Sequence, residues 1–272
     1  MIDLHTHTTA SDGSLTPEQL VKKAKLLGIT HLGITDHDSI NGVGDALSAG
    51  EKYGVTIVPG VELGTDYLKT ETHILGYFNK QNYMNIKPYF DWILEKRDQR
   101  NLQLIENLQH AGFSVSIEEV MKKADGGTPG RPHIAQLLIE KGYVMNIDDA
   151  FSSILLREDI YVKREKTTPK SAIQEIVKAG GIPVLAHPVY LDMENEFENA
   201  LTLFISYGLK GIEVYHSDHK KEHEDKYMSA ANKYHLLMTG GSDYHGDNKD
   251  KVILGGVKVP EHLVFDLLQA LG

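Results

Sequence analysis

The 272-residue sequence contains no cysteine, only nine prolines and a single tryptophan. The absence of cysteine excludes disulfide bonds, thiolate zinc sites, iron–sulfur clusters and cysteine nucleophiles. No stretch reaches about 18 uninterrupted apolar residues, so we expect no membrane-spanning helix and no membrane partner. The first residues lack the basic and then apolar segments of a secretory signal, so the expected location is cytoplasmic.

Basic residues are also scarce relative to acidic ones. The chain has 28 Lys and Arg against 38 Asp and Glu, which gives a formal net charge of −10. A net acidic surface repels nucleic acid at long range, so we expect no binding to duplex DNA. A phosphorylated ligand stays compatible with this charge, because bound divalent cations can reverse the sign of the field inside a cleft. Histidine, by contrast, occurs 14 times and favours an enzyme site.

Predicted strands and helices alternate at both ends of the chain. The strands are expected at 2–4, 31–35, 55–61, 72–78, 182–186, 211–215, 236–239 and 257–259. Helix starts are indicated by Thr16-Pro17-Glu18-Gln19, which has the capping-box pattern, and by Thr168-Pro169. Between these two ends of the chain, residues 79–164 show helical periodicity with little strand signal. We therefore predict an α/β fold, a distorted TIM-like (β/α)7 barrel of 1–78 and 165–272, with an all-α insertion at 79–164.

Metal-competent side chains recur at or near the ends of these strands. They are His5, His7, His37, Glu62, His73, His187, Asp243 and His245. In (β/α) barrels the carboxyl ends of the strands form the face where active sites assemble. The spacing of two in His5-Thr6-His7 points both imidazoles the same way from an extended backbone, and Asp243-Tyr244-His245 repeats this arrangement.

Imidazole and carboxylate without thiolate suit Zn²⁺, Mn²⁺ or Fe²⁺, and one carboxylate such as Glu62 can bridge two ions. Two metals about 3.5–4 Å apart can hold a bridging hydroxide and clamp a phosphoryl oxygen. Amide hydrolysis can use similar parts. The ligand pattern therefore predicts a metal-assisted hydrolase and leaves its substrate open.

Six blocks of the sequence resemble, in order, the signature blocks of the PHP (polymerase and histidinol phosphatase) family. They are Asp3-Leu4-His5-Thr6-His7, Asp12, Thr35-Asp36-His37-Asp38, Gly60-Val61-Glu62, Ala186-His187-Pro188 and Gly241-Ser242-Asp243-Tyr244-His245. In the insertion, Gly130-Arg131-Pro132-His133 is similar to the subgroup that hydrolyses nucleoside 3′,5′-bisphosphates and short 5′-phosphorylated RNA.

The resemblance implies the PHP fold and two to three divalent ions, Mn, Fe or Zn, in a trinuclear site. The implied ligands are His5, His7, Glu62 and Asp243 for the first metal, Glu62, His73 and His187 for the second, and Asp12, His37 and His245 for the third. Some family members carry histidine in place of Asp12, and a carboxylate there favours Mn²⁺ or Fe²⁺. The alternative for Asp12 is a simple turn residue in Ser11-Asp12-Gly13.

Substrate contacts are expected from the Gly-rich stretch 126–133, which lacks the Gly-Lys-Ser/Thr ending of a Walker loop. A helix start there, with the guanidinium of Arg131, would bind an anion, and Lys163 is a third candidate contact. The alternative is an ordinary loop between helices. His216 and His219 are candidate pocket residues, against a purely structural role. The catalytic candidates are His133, His187 and His245.

The leading hypothesis is a metal-dependent phosphoesterase that removes the 3′-phosphate of nucleoside 3′,5′-bisphosphates through a metal-bridging hydroxide. The insertion would cap the cleft, and short 5′-phosphorylated RNA is a further candidate substrate. One alternative is a histidinol-phosphate or other small-molecule phosphatase, which has no use for the Gly-Arg-Pro-His block. The non-enzyme alternative is a PHP regulatory module, as in polymerases whose ligands have decayed.

Overall fold

The computed structural model describes residues 1–68, 70–123, 130–163, 167–193, 196–249 and 251–272. The chain forms two compact units, Met1–Pro88 with Lys166–Gly272, and Tyr89–Glu165. The first unit extends to residue 88 rather than 78 because the segment after the fourth strand packs on it: the Asn82 and Asn85 side chains donate to the carbonyls of Gly180 and Ala179. The assignment of these units as separate domains stays a prediction.

Seven strands form one sheet in which each strand pairs with the next along the chain. They are β1 (Ile2–Asp3), β2 (His31–Ile34), β3 (Thr56–Tyr67), β4 (Thr70–Tyr77), β5 (Ile182–Leu185), β6 (Gly211–His216) and β7 (Leu237–Gly241). The Leu4 N–H donates to the Gly240 carbonyl at 3.2 Å, and the main chains of Thr6 and Tyr244 form an isolated parallel β-bridge. The sheet is therefore nearly closed, which confirms the predicted distorted TIM-like barrel.

The fourth strand departs from the expected strand–helix alternation. β4 runs antiparallel to both β3 and β5, whereas the other neighbouring pairs are parallel. β3 and β4 also extend into the stretch 62–71 that the pattern left as a connection, so only residues 68–69 separate them. Such a short connection permits only antiparallel pairing, because a parallel crossover needs a dozen or more residues. Glu62 and His73 consequently lie within strands rather than at strand ends.

The described helices are α1 (Pro17–Leu26), α2 (Val43–Tyr53), α3 (Lys87–His110), α4 (Ile117–Lys123), α5 (Arg131–Glu140), α6 (Ile147–Asp149), α7 (Pro169–Lys178), α8 (Val189–Met193), α9 (Phe197–Tyr207), α10 (Lys221–Tyr234) and α11 (His262–Leu271), with short 3₁₀ turns at Tyr83–Ile86 and Gly246–Asn248 and a π turn at Ala150–Leu155. None of them is both long enough and apolar enough to cross a membrane. The predicted capping box at Thr16 and the predicted helix start at Thr168 are confirmed.

The predicted strand at 257–259 is wrong. This segment is irregular, and the Val259 N–H donates locally to the Val257 carbonyl. The reason is barrel closure: β7 pairs with β6 on one side and meets the segment after β1 on the other, so neither edge is left for another strand. Val259 instead packs into the core beside α11.

Each unit has a hydrophobic core of its own. In the first unit, Val58, Leu75 and Val184 of the strands and Leu4 after β1 share one core with Leu267 of α11. In the second unit, α3, α4 and α5 bury Leu108, Val120, Ile134 and Leu138, with Ile154 from the π turn. The first unit alone carries the predicted metal-competent residues.

The close approach of β1 and β2 depends on a glycine. A Cβ atom at Gly33 would lie 2.1 Å from the Leu4 carbonyl oxygen and 2.5 Å from its carbonyl carbon. Both atoms are main chain, so they cannot yield without a shift of β1, and β1 leads directly into His5 and His7.

We expect Gly33→Ala to lower the free energy of unfolding by about 2 kcal/mol or more, because the added methyl must displace backbone. The matched control is Gly64→Ala in β3, where a Cβ would meet nothing within 4 Å. Thermal unfolding followed by circular dichroism measures both variants. Equal destabilisation by the two substitutions would contradict this account of the contact.

Candidate metal centre

The structure brings all nine predicted metal-competent side chains together in the first unit. Segments following β1, β2, β5 and β7 contribute five imidazoles and one carboxylate, β3 and β4 contribute one residue each from their interiors, and the turn before α1 contributes the last. These residues are His5, His7, Asp12, His37, Glu62, His73, His187, Asp243 and His245. Their assignment as ligands stays a prediction, and its geometric basis follows.

The first group joins two imidazoles and two carboxylates, all buried. Glu62 Oε2 lies 3.1 Å from His5 Nε2 and 3.2 Å from His7 Nε2. Asp243 Oδ1 lies 3.5 Å and 3.1 Å from the same two nitrogens. The four side chains therefore surround one point with a nitrogen or oxygen atom each.

The chemistry of this group fits a metal ion. His5 Nε2, both ring nitrogens of His7 and Glu62 Oε2 are buried without a hydrogen-bond partner among the described residues, although they lie close to one another. Buried polar atoms left in this state cost free energy. Coordination of a divalent cation by their lone pairs removes that cost, and imidazole with carboxylate is a donor set for Zn²⁺, Mn²⁺ or Fe²⁺.

Glu62 connects this group to a second one. Its other oxygen, Oε1, lies 2.8 Å from His73 Nδ1 and 2.9 Å from His187 Nε2. The His37 Nδ1 atom also lies 3.3 Å from Glu62 Oε2, so the two oxygens of one carboxylate face different sets of imidazoles. This is the arrangement that a carboxylate bridging two cations requires.

A third group gathers around Asp12. Its carboxylate lies 3.6 Å from His7 Nδ1, 3.4 Å from His245 Nε2 and 3.9 Å from His37 Nε2. The His7 and His245 rings stack with centroids 4.0 Å apart. His7 therefore faces two groups, which its sequence position did not reveal, and Asp12 faces imidazoles in a way that a simple turn residue does not need.

The electrostatics couple the imidazoles to the carboxylates. Burial lowers the pKa of His7, but Asp243 and Glu62 outweigh it and raise that pKa to about 9. Burial raises the pKa of Asp243, but the neighbouring imidazoles, His5 above all, hold it well below its usual range. Burial instead lowers the pKa of His37, to about 4. Protons on His5 and His7 therefore balance the carboxylates, and a bound metal must displace them.

These groups open into a cleft of about 760 Å³. The described residues lining it are Asp12, His37, Glu62, Thr70, Glu71, His73, His187, Tyr190, Asp243, His245, Asn248 and Lys249. Lys249 is the only Lys or Arg among them, and its Nζ lies 2.6 Å from Asp243 Oδ2. Sequence reasoning missed Lys249, because a lysine three residues beyond a turn glycine carries no local signal of its surroundings.

Two buried carboxylates outside the ligand set hold the loops of the site. Asp3 accepts hydrogen bonds from the N–H and O–H of Ser242 at 2.8 and 2.6 Å, which ties β1 to the segment carrying Asp243. Asp36 accepts from the Thr8 N–H at 2.7 Å and the Ser11 O–H at 2.7 Å, which fixes the turn before Asp12. Their place in the family blocks was a signal, but their role was not assigned.

A third buried carboxylate, Glu213 in β6, was also missed. Glu213 Oε1 lies 3.0 Å from His5 Nδ1, and Oε2 accepts the His187 backbone N–H at 2.7 Å. The available signal was an acidic residue inside an otherwise apolar strand, since such a residue is buried only with partners.

The predicted substrate residues of the insertion lie in the second unit. Arg131 and His133 occupy the first turn of α5, where His133 Nδ1 accepts the Gly130 N–H at 3.2 Å and the Arg131 guanidinium lies 5.6 Å from the Phe151 ring centre. Lys163 is exposed. The part of the Gly-rich stretch at 124–129 lies outside the described residues. The substrate contacts of these side chains stay predictions.

His216 and His219 are held by main-chain groups. His216 Nδ1 accepts the Asp218 N–H at 3.1 Å, and His219 Nδ1 donates to the Val214 carbonyl at 2.8 Å. Burial lowers the pKa of His219 to about 4, so it is neutral at pH 7. Neither belongs to the described residues that line the cleft. Their predicted contact with substrate stays a prediction.

The model of the PHP domain family matches residues 3–150 of the chain. A 5′-3′ exoribonuclease of Haemophilus influenzae is 31% identical over 89% of this chain and 89% of its own length. A phosphoribosyl 1,2-cyclic phosphate 1,2-diphosphodiesterase of Eggerthella lenta is 31% identical over 90% of this chain and 94% of its own. A 3′,5′-nucleoside bisphosphate phosphatase of Chromobacterium violaceum is 30% identical over 90% and 87%, respectively.

The fold has a counterpart among solved structures. A protein of Bifidobacterium adolescentis, named as a metal-dependent phosphoesterase, superposes with a TM-score of 0.67. It is 28% identical, and the match covers 99% of this chain and 96% of that one. The likeness therefore extends over both units of the chain.

We expect His7→Gln to weaken metal binding at least tenfold, because His7 faces two of the three groups and an amide is a poorer ligand than imidazole. Metal per chain, measured by elemental analysis after loading with Mn²⁺ and gel filtration, checks this. His262→Gln, at an exposed position of α11, is the matched control. Equal metal content in the two variants would show that His7 is not a ligand.

Proposed function

Because this chain belongs to the PHP domain family, we propose that it is a metal-dependent phosphoesterase that removes the 3′-phosphate of nucleoside 3′,5′-bisphosphates. The observation that carries the proposal is the position of Glu62 between two sets of imidazoles, one facing each of its oxygens, with a third group around Asp12. This array suits two to three divalent ions. Short 5′-phosphorylated RNA is a second substrate class, favoured by the similarity to an exoribonuclease over 89% of the chain.

In this proposal the nine side chains form three ion positions. His5, His7, Glu62 and Asp243 hold the first ion, Glu62 with His73 and His187 the second, and Asp12 with His37 and His245 the third. When bound, such ions supply Lewis-acid activation of the phosphoryl group and of water. The donors are nitrogen and oxygen only, which is compatible with Mn²⁺, Fe²⁺ or Zn²⁺.

Lys249 binds the phosphate that is cleaved. Burial lowers its pKa, but Asp243 and more distant carboxylates outweigh burial and raise it, so the ammonium stays charged at neutral pH. The side chain is 37% exposed and lines the cleft beside the first ion position. An ammonium there neutralises charge on the phosphoryl oxygens. Its attraction to these oxygens becomes stronger as negative charge accumulates on them.

A second phosphate distinguishes the proposed substrate from a simple phosphate ester. Arg131 offers a planar guanidinium at the start of α5, where the helix dipole is positive. His133 in the same turn and Lys163 are further contacts for this group, with His133 also a candidate proton donor to the leaving oxygen. His187 and His245 act as ligands in this scheme, and their imidazoles face the cleft.

The alternatives differ in what the second end of the substrate carries. Histidinol phosphate has an amine in place of a second phosphate. A phosphoribosyl cyclic phosphate, the substrate named for the Eggerthella lenta relative, shares the two phosphate groups. A regulatory module without activity requires missing ligands, whereas all nine positions carry metal-competent side chains.

Phosphate release from adenosine 3′,5′-bisphosphate by Mn²⁺-loaded protein tests the proposal, beside AMP, histidinol phosphate and a phosphoribosyl 1,2-cyclic phosphate. Release of mononucleotides measures the turnover of a short 5′-phosphorylated RNA. We expect the bisphosphate to be turned over with the highest kcat/KM and AMP to be poor, because AMP lacks the 3′-phosphate. Preference for histidinol phosphate would contradict the role of the Gly-Arg-Pro-His block while leaving the metal centre in place.

Two substitutions separate the two phosphate contacts. Arg131→Ala is expected to raise KM for the bisphosphate about 10- to 100-fold and to leave an aryl phosphate nearly unaffected, since a charged hydrogen bond contributes about 1.5–3 kcal/mol. Lys249→Met is expected to lower kcat/KM for the bisphosphate and for the aryl phosphate by the same factor, because both substrates carry the phosphate that is cleaved. Each variant is the control for the other, and equal effects of Arg131→Ala on both substrates would contradict its anchoring role.

A further inference from the structure

Glu213 is a fully buried carboxylate that the proposed reaction does not use. It lies in β6, with none of its side chain exposed, and its neighbours along the strand, Ile212 and Val214, are buried and apolar. No lysine or arginine is among its contacts in the described part of the chain. Its two oxygens instead contact two proposed metal ligands, His5 and His187, which lie far apart in the sequence.

A bulge in β6 places the side chains of Glu213 and His216 on the same side of the strand. The pairing of β6 with β7 shifts register between Glu213 and Tyr215, so that Val214 is the extra residue. In a regular strand residues 213 and 216 would face opposite sides, because side chains alternate. With the bulge, Glu213 and His216 both lie within ligand distance of His5. The extra residue therefore interrupts the pairing of β6 with β7 and brings both Glu213 and His216 close to His5.

The contact with His5 sets which ring nitrogen carries the proton. A carboxylate accepts hydrogen bonds, so Glu213 Oε1, 3.0 Å from His5 Nδ1, keeps the proton on Nδ1. The lone pair of a neutral His5 then lies on Nε2, the nitrogen that faces Glu62 and Asp243. A metal ligand needs its lone pair on the coordinating atom, and a carboxylate behind the ring is a common way to provide it.

The contact with His187 holds a strained backbone. His187 has φ +23°, a conformation that side-chain-bearing residues rarely adopt. Such a residue persists only when its surroundings determine its position. The 2.7 Å hydrogen bond from its N–H to Glu213 Oε2 fixes the peptide just before the imidazole that faces Glu62 Oε1.

We propose that Glu213 is a positioning residue that prepares two ion positions at once, by setting the tautomer of His5 and the backbone of His187. The proposal rests on the metal centre of the proposed function and adds a residue outside its ligand set. Glu213 contacts neither substrate nor metal in this account. Its effect is on metal affinity, through the ligands that it orients.

A fourth metal ion between His5, Glu213 and His216 is the competing explanation of the same geometry. It would require His5 to coordinate through both nitrogens, as an imidazolate. It would also require a lone pair on His216 Nε2, yet His216 Nδ1 accepts the Asp218 N–H, which leaves the proton of the neutral ring on Nε2. The hydrogen bonds therefore favour the positioning role.

Glu213→Gln tests the proposal, because glutamine keeps the shape but has one accepting oxygen for two donors. We expect the affinity for Mn²⁺, measured by titration of metal-free protein, to fall about 10- to 100-fold. The control is Thr239→Val: Thr239 is buried opposite Glu213 on β7 and contacts neither ligand. Its affinity for Mn²⁺ should match that of the unchanged protein.

Histidine ¹⁵N shifts in the Zn²⁺-loaded protein give a second readout. We expect His5 to carry its proton on Nδ1 in the unchanged protein and to lose that pattern in Glu213→Gln. If Glu213→Gln does not fold by circular dichroism, Glu213→Asp replaces it, since aspartate keeps the charge but is too short to reach both partners. Aspartate should lower the affinity for Mn²⁺ as well.

The outcomes separate this inference from the proposed function. Failure of the unchanged protein to bind Mn²⁺ would overturn the metal centre itself. Normal binding by the unchanged protein together with unaltered affinity and His5 tautomer in the Glu213 variant would overturn the positioning role. One metal ion fewer per chain at saturating metal in Glu213→Gln, with the remaining ions bound at normal affinity, would overturn it in favour of a fourth ion.

Discussion

The Glu62 carboxylate lies in the interior of the barrel, and each of its oxygens faces a different set of imidazoles. An ionised carboxylate at such depth is stable only when opposite charge or coordinating groups surround it. His5 and His7 supply these groups on one side, and His73 and His187 supply them on the other. The imidazoles of His5, His7, His73 and His187 come from the segment after β1, from β4 and from the segment after β5, so the charge of Glu62 is compensated only when these segments meet around β3. The packing that closes the barrel therefore also brings these side chains together.

The carboxylates of the site form two sets with different roles. Those facing the cleft balance imidazoles and offer oxygen to cations. Those behind it, Asp3, Asp36 and Glu213, accept hydrogen bonds from main chain, hydroxyls and one imidazole, and so hold the ligand-bearing loops in place. Orientation that is built before a metal arrives does not have to be gained on binding. Part of the acidic net charge of the chain thus comes from buried carboxylates that have a structural role.

That charge also shapes how a phosphorylated substrate is held. A cleft lined by Asp12, Glu62, Glu71 and Asp243 repels phosphate until cations occupy it, and the single lysine at its lining cannot reverse the sign alone. Substrate affinity should accordingly depend on metal loading. Arg131, the proposed contact of a second phosphate, begins α5, a helix that packs on the separate core of the second unit.

Much of this protein is written in local sequence. Strand and helix periodicity, the helix starts at Thr16 and Thr168, and the His-x-His and Asp-x-His spacings depend on neighbouring residues. They predicted the barrel and eight residues of the centre, and the resemblance to the PHP family added Asp12. The wrong strand at 257–259, the double contact of His7 and the role of Glu213 depend on partners far along the chain. Periodicity shows which face of an element is buried, not which segment covers it. Closure of the barrel decided those partners, because only the folded sheet places β6 and β7 against the segment after β1.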